Sequence, residues 1–266
     1  MRKINLEECH ELVLEIAKEF ARICEKHKIN YYMLGGTMLG AIRHKGFIPW
    51  DDDMDFGVPR SQYDYLLEVL KKELPDHIKC YTYRNNRANN NPFAKVTNIT
   101  THLDDKTVGM PIEKQLGVNI DIFPLDFCNK DDKKLKSIFR WIKFGQVVYI
   151  YPPRKSAIKS FVKKCLQLVC PVRHKSFLDW LNKKAASLEP GNYLGNVFGH
   201  WKSKEIIPIE WYGEKVKYEF EDTYFYGLKE YDKYLTQMYN NYMELPPVEK
   251  RIAHSAVAYK IKSKEC

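Results

Sequence analysis

The chain has 266 residues, enough for one large domain or for a core with a helical extension, and 44% of them are hydrophobic. A mean hydropathy of -0.49 and the absence of any long apolar run argue against a membrane-spanning helix. The formal net charge of +9 favours partners that carry phosphate, such as nucleotides, anionic lipid or nucleic acid.

The first residues argue against a secretory signal. Glu7, Glu8 and Glu11 interrupt the region where such a signal needs an apolar run. The seven cysteines include no C-x-x-C pair, which favours reduced thiols over a disulfide framework. We therefore expect a cytoplasmic protein.

The first elements follow from the spacing of the apolar residues. Apolar residues recur at helical spacing from Leu12 to Ile23 and predict an amphipathic helix. Ile29 to Leu34 form an apolar run that predicts a buried strand. The turn Gly35-Gly36-Thr37 comes next, and Thr37 is expected to cap a short helix that runs toward Arg43.

The rest of the first half alternates between strand and helix patterns. A strand is predicted over Asp53 to Val58, and a helix through Leu66 to Leu74 should end before Pro75. The asparagine-rich stretch from Asn85 to Asn91 predicts an exposed loop. Three further segments favour strands: 78–83, 93–99 and 118–123. Residues 1–130 are therefore predicted to form an α+β core with a mixed sheet and flanking helices.

The composition changes after Asp132. No acidic residue follows until Asp179, while lysines and arginines accumulate, so residues 131–190 are predicted to form a basic helical extension. Within it, residues 155–169 place an apolar stripe opposite lysines. This segment can lie on an anionic membrane or pack on the core. Residues 191–266 are aromatic-rich and should pack on the core, and all three parts can also belong to one domain.

Alternating aspartates predict a metal site. Asp51, Asp53 and Asp55 would project to one face of an extended backbone, with Asp52 directed away from it. Three carboxylates on one face repel one another unless a cation neutralises them. Ligands with only oxygen atoms suit Mg²⁺ or Mn²⁺.

A fourth carboxylate lies inside an apolar strand. Asp121, in the segment VNIDIF, would be an isolated and costly charge without a partner. If its strand lies beside the first acidic strand, Asp121 completes a site for one or two divalent ions. Asp53, Asp55 and Asp121 are thus the candidate catalytic residues, although an aspartate cluster without a second acidic strand would favour a solvated turn.

Glycines and basic residues near this cluster are candidates for binding the donor. Gly35 and Gly36, with Thr37, let the backbone approach a phosphate at the start of a helix. Arg43 is a candidate for bidentate phosphate binding, and Lys95 can neutralise the donor from a neighbouring strand. A plain strand-to-helix turn and solvated basic residues are the alternatives.

Three ordered blocks strongly resemble the LicD family, which includes the fukutin-related proteins. They are LGGTMLGAIRHKGFIPWDDDMDFGVPRSQYDYL, VNIDIFPLD and YDKYLTQMYNNYMELPPVEKR. The resemblance implies a nucleotidyltransferase-like fold in which Gly35 and Gly36 contact the donor phosphate. It also implies that Asp51, Asp53, Asp55 and Asp121 bind metal, and that Arg43 and Lys95 contact phosphate.

The resemblance further implies transfer of phosphocholine from CDP-choline to a glycan or a lipid-linked oligosaccharide, with release of CMP. Transfer of another CDP-linked alcohol phosphate, or a nucleotidyltransferase reaction that releases pyrophosphate, remains an alternative. A nucleic-acid-binding protein is disfavoured because no binding motif supports it. Five aromatic residues are candidates for a choline cage, with core packing as the alternative role: Tyr149, Tyr151, Trp201, Trp211 and Tyr212.

Overall fold

The computed structural model describes residues 1–104, 111–150, 165, 174–251 and 257–261. Within these residues, helices and strands are interspersed, which confirms the predicted α+β class. The α-helices are α1 (Leu6–Lys26), α2 (Gly35–Arg43), α3 (Arg60–Glu73), α4 (Lys133–Gly145), α5 (His174–Ala186), α6 (Ile209–Tyr212) and α7 (Tyr231–Tyr239). A π-helix, Gln146–Ile150, continues α4.

A mixed seven-stranded sheet forms the centre of the fold. Its strands are β2 (Tyr32–Met33), β3 (Asp55–Pro59), β4 (Ile78–Tyr81), β5 (Ala94–Asn98), β7 (Asn119–Cys128), β8 (Tyr193–Asn196) and β9 (Ile206–Pro208). Five of them follow the order β2-β3-β7-β5-β4, and β8 pairs with both β7 and β9. β3 and β7 are parallel, whereas β5 and β8 run antiparallel to β7. The acidic strands β3 and β7 are therefore neighbours.

Two smaller sheets lie outside this path. β1 (Arg2–Lys3), β12 (Val257–Lys260) and β6 (Thr101–Asp104) form one of them. β10 (Val216–Phe220) and β11 (Thr223–Gly227) form an antiparallel hairpin. The region after residue 190 thus contributes strands to the central sheet as well as a hairpin of its own.

The first helix is specified by its sequence. The Asn5 side chain caps α1 by accepting a hydrogen bond from the Glu8 N–H, and the Glu8 carboxylate accepts one from the Asn5 N–H. The buried stripe, which includes Val13, Ile16 and Phe20, packs against β5 and β7. The predicted amphipathic helix is confirmed.

Three local predictions need correction. Thr37 does not cap α2, because its N-cap is Leu34 and the Thr37 hydroxyl instead bonds to Asp55. The strand predicted over 29–34 contains only Tyr32 and Met33. The asparagine-rich loop is not fully exposed, since Asn89 is buried and its amide donates to the carbonyls of Tyr81 and Phe93.

The predicted basic extension is described only in part. α4 and α5 carry many of its lysines, but segment 155–169 lies outside the described residues apart from Cys165. In the part of the chain that the structure describes, no helix combines the length and apolar character needed to cross a membrane.

Candidate active site

Three predicted site residues form a row across the central sheet. In the strand register, Asp121 on β7 lies opposite Asp55 on β3 and opposite Lys95 on β5. Register partners on adjacent strands project to the same face, so the three side chains converge. The adjacent residues Phe56 and Ile122 point the other way and are fully buried.

Lys95 is the partner that Asp121 requires. Its ammonium donates a hydrogen bond to Asp121 Oδ1, and a second one to Asn119 Oδ1 at 3.1 Å. The Lys95 and Asp121 side chains are 19% and 18% exposed, so water screens their attraction only in part. The largely buried carboxylate of Asp121 thus has a countercharge, and the ammonium of Lys95 lies beside the acidic row.

The glycine turn lies directly against the acidic residues. Gly35 adopts a φ of +50°, and a β-carbon there would lie 3.4 Å from Asp55 Oδ2. A β-carbon on Gly36 would lie only 2.9 Å from Asp51 Oδ2. The Gly35 N–H donates to the Tyr234 hydroxyl at 2.8 Å. Gly35 is therefore favoured by its backbone conformation, whereas a side chain at position 36 would displace the Asp51 carboxylate.

A hydrogen bond fixes the turn to the acidic strand. The Thr37 hydroxyl accepts from the Asp55 N–H at 2.7 Å, and the Asp55 carbonyl accepts from the Leu34 N–H at 3.0 Å. Because both the N–H and the carbonyl of Asp55 are bonded to the turn, the backbone of Asp55 is held beside the glycines.

These residues open onto a cleft of about 280 Å³. The cleft is lined by the acidic row, by the glycine turn and, on another side, by residues from the last third of the chain. Its lining residues are Leu34, Gly35, Gly36, Asp53, Asp55, Phe93, Asp121, Phe123, Gln146, Asn196, Phe198, Gly199, His200, Trp201, Glu205, Met238 and Tyr239.

The cleft has a strong negative potential around Asp55. Burial raises the pKa of Asp55 well above its ordinary value, and the nearby charges of Asp53, Asp121 and Glu205 raise it further. Lys95 acts in the opposite direction but does not cancel this effect. A bound cation would relieve the repulsion, and this electrostatic demand fits the predicted divalent metal.

The donor set is not assembled as a closed ligand shell. Within the described ranges, no group of three or more His, Cys, Asp or Glu side chains is arranged to hold a metal ion. Asp53, Asp55 and Asp121 share the cleft, but one oxygen of Asp121 is bonded to Lys95. Their oxygen chemistry fits Mg²⁺ or Mn²⁺, and binding would require these side chains to reorient.

Some predicted residues lie elsewhere. β3 begins at Asp55, so Asp51 and Asp53 precede the strand rather than alternating within it. Asp51 contacts the Gly36 position but does not line the cleft. Thr37 is buried behind the turn.

Arg43 holds the segment that follows α7. Its Nη1 donates to the Tyr242 carbonyl at 2.7 Å and to the Glu244 carbonyl at 3.4 Å. The cleft lining does not include it. The role of Arg43 as a donor-phosphate contact stays a prediction.

The aromatic candidates separate in a similar way. Trp201 lines the cleft. Trp211 packs against the core, and Tyr212 is buried there against Tyr32. The side chain of Tyr149 and the whole of Tyr151 lie outside the described residues.

Sequence reasoning missed Glu205, a buried carboxyl that lines the cleft. It accepts a hydrogen bond from the Trp201 N–H at 2.8 Å and forms a second hydrogen bond with the Asn196 side chain. Burial raises its pKa to about 7. Its context, KSKEII, is typical of a solvated turn followed by a strand, whereas in the fold its carboxylate lies against Gly199, Asn196 and Trp201.

Comparisons with known proteins cover the part of the chain that carries these residues. The family model described as "LicD/FKTN/FKRP, nucleotidyltransferase domain" matches residues 28–146, which include the glycine turn, β3, Lys95 and Asp121. The lipopolysaccharide cholinephosphotransferase LicD of Haemophilus influenzae is 29% identical over 96% of this chain and 97% of its own length.

A more distant similarity covers a short segment. The ribitol 5-phosphate transferase FKRP of Homo sapiens is 38% identical over 50 residues, which are 19% of this chain and 10% of that protein. The FKRP of Mus musculus matches to the same extent. The domain match over residues 28–146 and the end-to-end similarity to LicD are both similarities to proteins of the LicD family.

Proposed function

We propose that the chain transfers phosphocholine from CDP-choline to a sugar hydroxyl of a cell-surface glycan or its lipid-linked precursor, with release of CMP. The observation that carries this proposal is the meeting of Asp53, Asp55 and Asp121 with the Gly35-Gly36 turn in one cleft. The similarity along nearly the full length to a lipopolysaccharide cholinephosphotransferase supports the transferred group and the acceptor class.

Each residue has a role that its environment supports. Gly35 and Gly36 admit the donor phosphate close to the backbone, and Lys95 offsets its negative charge. Mg²⁺ or Mn²⁺ held by Asp53, Asp55 and Asp121 would supply charge neutralisation of the phosphate oxygens. Asp51, beside Gly36, would assist from the edge of the site.

The reaction is a displacement at the phosphorus that carries choline. The acceptor hydroxyl oxygen forms a new bond to this phosphorus, and the bond from phosphorus to the CMP oxygen breaks. The hydroxyl proton passes to a carboxylate of the cleft, for which we propose Asp121. CMP leaves with the electron pair of the broken bond.

Purified protein, CDP-choline, Mg²⁺ and lipopolysaccharide test this proposal directly. We expect stoichiometric CMP and phosphocholine-modified glycan, measured by chromatography and mass spectrometry. The double variant Asp53→Ala, Asp55→Ala should lose turnover, whereas the matched variant Asp76→Ala, Asp131→Ala removes two exposed carboxylates and should retain it. Full turnover by the first double variant contradicts the proposal.

Other products would identify the alternatives. CMP release with CDP-ribitol but not with CDP-choline would indicate the transfer named for the FKRP relatives. Pyrophosphate release from a nucleoside triphosphate would indicate a nucleotidyltransferase.

For localisation we propose the cytoplasmic face of the membrane, with segment 155–169 contacting anionic lipid. Liposome binding that stays unchanged after Lys159, Lys163 and Lys164 are neutralised contradicts this proposal.

A further inference from the structure

The cleft wall opposite the acidic row contains two aromatic rings in an edge-to-face arrangement. The ring centres of Trp201 and Tyr239 are 6.1 Å apart, with an angle of 83° between their planes. Both side chains line the cleft, and Trp201 is 46% exposed. An indole this accessible inside a cleft offers a π-face to a ligand.

A buried carboxyl stands behind this aromatic pair. Glu205 is 9% exposed, and its identified hydrogen-bond donors, the Trp201 N–H and the Asn196 side chain, are both neutral. Among the described residues, Glu205 forms no ion pair with a lysine, arginine or histidine within 4.0 Å. A buried carboxylate without a countercharge is costly, so a cationic ligand group would stabilise its charged form.

One cation already uses the indole. The Lys204 Nζ lies 5.6 Å from the centre of a Trp201 ring, and it also donates to the Met238 carbonyl at 3.4 Å. This contact demonstrates that Trp201 accepts a cation–π partner. It also places one positive charge at the wall.

The aromatic wall adjoins the proposed reaction centre. Tyr239 Oη and Asp55 Oδ2 both lie within 4 Å of the point that a Gly35 β-carbon would occupy. A ligand with a phosphate at the glycine turn would therefore extend a short arm to the wall. We propose that Trp201, Tyr239 and Glu205 form a subsite for a quaternary ammonium group on the transferred alcohol phosphate.

The chemistry of the wall selects this ligand class. A quaternary ammonium carries a full charge but no N–H, so aromatic faces and a nearby carboxylate hold it without hydrogen bonds. The inference rests on the proposed function, because it assigns the group that accompanies the phosphate.

The test compares two donors that differ only in charge. CDP-choline and CDP-3,3-dimethylbutanol have the same shape, but the second has carbon in place of the quaternary nitrogen. The chain should prefer CDP-choline by about tenfold or more in kcat/KM. This preference should fall toward unity in Trp201→Leu and in Glu205→Gln. Trp201→Phe should keep part of it, and Tyr224→Leu, at an exposed position outside the cleft, should keep all of it.

Several results would overturn the inference. The wild-type chain could use both donors equally well. Alternatively, both donors could decline equally in Trp201→Leu and Glu205→Gln, which would assign the wall to the cytosine base or to loop structure. If neither donor is turned over, the proposed function fails. Tryptophan fluorescence then decides the subsite, because tighter binding of phosphocholine than of 3,3-dimethylbutyl phosphate supports it and equal binding overturns it.

Discussion

Lys95 donates a hydrogen bond to the carboxylate of Asp121, its register partner on the adjacent strand. On its other side, Asp121 lies opposite Asp55. The central strand of the site thus has an acidic neighbour and a basic neighbour. Lys95 limits the repulsion between the two aspartates and supplies a positive charge where the donor phosphate would lie.

Replacement of this lysine should impair catalysis more than folding. In Lys95→Met, we expect kcat/KM to fall by about 10²-fold to 10³-fold, a range typical for loss of one preorganised electrostatic group. We expect a stability loss of about 1–3 kcal/mol, because Asp121 loses its countercharge. Steady-state assays and urea unfolding measure the two effects.

The matched control is Lys79→Met on β4. Lys79 is exposed and lies 3.8 Å from exposed Asp76, so its removal should change neither quantity appreciably. Wild-type kcat/KM in Lys95→Met would refute the assignment of Lys95 to the site.

Divalent metal should stabilise the chain through the acidic row. At a Mg²⁺ or Mn²⁺ concentration of about 100 Kd, binding to the folded state adds about 2.7 kcal/mol, which corresponds to several degrees in Tm. Asp55→Asn removes one negative ligand and should abolish most of this shift. Differential scanning fluorimetry with and without EDTA measures it. An equal shift in Asp55→Asn and wild type would exclude Asp55 as a ligand, and exposed Asp76→Asn is the control.

Substitution of the two glycines with positive φ, Gly35 and Gly213, should separate effects on stability from effects on turnover. Gly35→Ala forces alanine into a φ of +50°, which costs about 1–2 kcal/mol, and places its β-carbon beside Asp55. Gly213 has a similar φ of +52° but lies outside the cleft, where its β-carbon would meet only the flexible Lys229 side chain. Both variants should lose stability, but only Gly35→Ala should lose turnover. Equal kcat/KM values in the two variants would contradict this role of Gly35.

The buried carboxylate of Asp126 on β7 should be more sensitive to mutation than the exposed carboxylate of Asp131, which follows the strand. Asp126 is buried and accepts two hydrogen bonds from Arg60, at 2.6 Å and 2.7 Å. Asp126→Ala leaves the Arg60 guanidinium, on a side chain only 23% exposed, without its countercharge and with Asn182 as a remaining acceptor, so we expect a loss of about 3 kcal/mol in the free energy of unfolding. Exposed Asp131→Ala should cost less than about 1 kcal/mol. Guanidinium unfolding compares them, and similar losses would contradict the buried-pair interpretation.

Local patterns in the sequence were sufficient to predict the central elements. The helical spacing of apolar residues predicted α1, and the apolar residues around Asp55 and Asp121 predicted two strands. In each case the pattern arises because one face of a single helix or strand is buried, and the spacing of apolar residues reflects this directly. The sequence shows that Asp121 needs a partner, but the adjacency of the two acidic strands enters there only as a condition, which the sheet register meets. The sheet register then added Lys95 as that partner.

Other features depend on contacts between distant parts of the chain. Arg43 is drawn to the Tyr242 carbonyl, 199 residues away, and no local pattern near Arg43 encodes this. Thr37 bonds to Asp55 rather than to its own helix because β3 passes beside α2. Glu205 lies in a segment typical of a surface turn, yet its carboxylate is buried against Asn196, Gly199 and Trp201. Long-range topology therefore decided which polar residues enter the cleft.

The buried carboxyl of Glu205 predicts a specific dependence of stability on pH. Its pKa is raised from 4.5 to about 7, so the folded state holds the proton more tightly than the unfolded state. Its contribution to stability is fully present below pH 4.5 and is lost as the pH rises through about 7. Glu205→Gln keeps an acceptor for the Trp201 N–H but removes the charge.

The variant should therefore gain stability relative to the wild type as the pH rises from 5 to 8, by up to about 3 kcal/mol. Urea unfolding at several pH values measures this difference, and Glu210→Gln, at an exposed position, should show no such trend. A difference that stays constant across this range would mean that Glu205 does not titrate there. A ligand cation beside Glu205 should reduce the slope in the wild type, because it stabilises the carboxylate that burial disfavours.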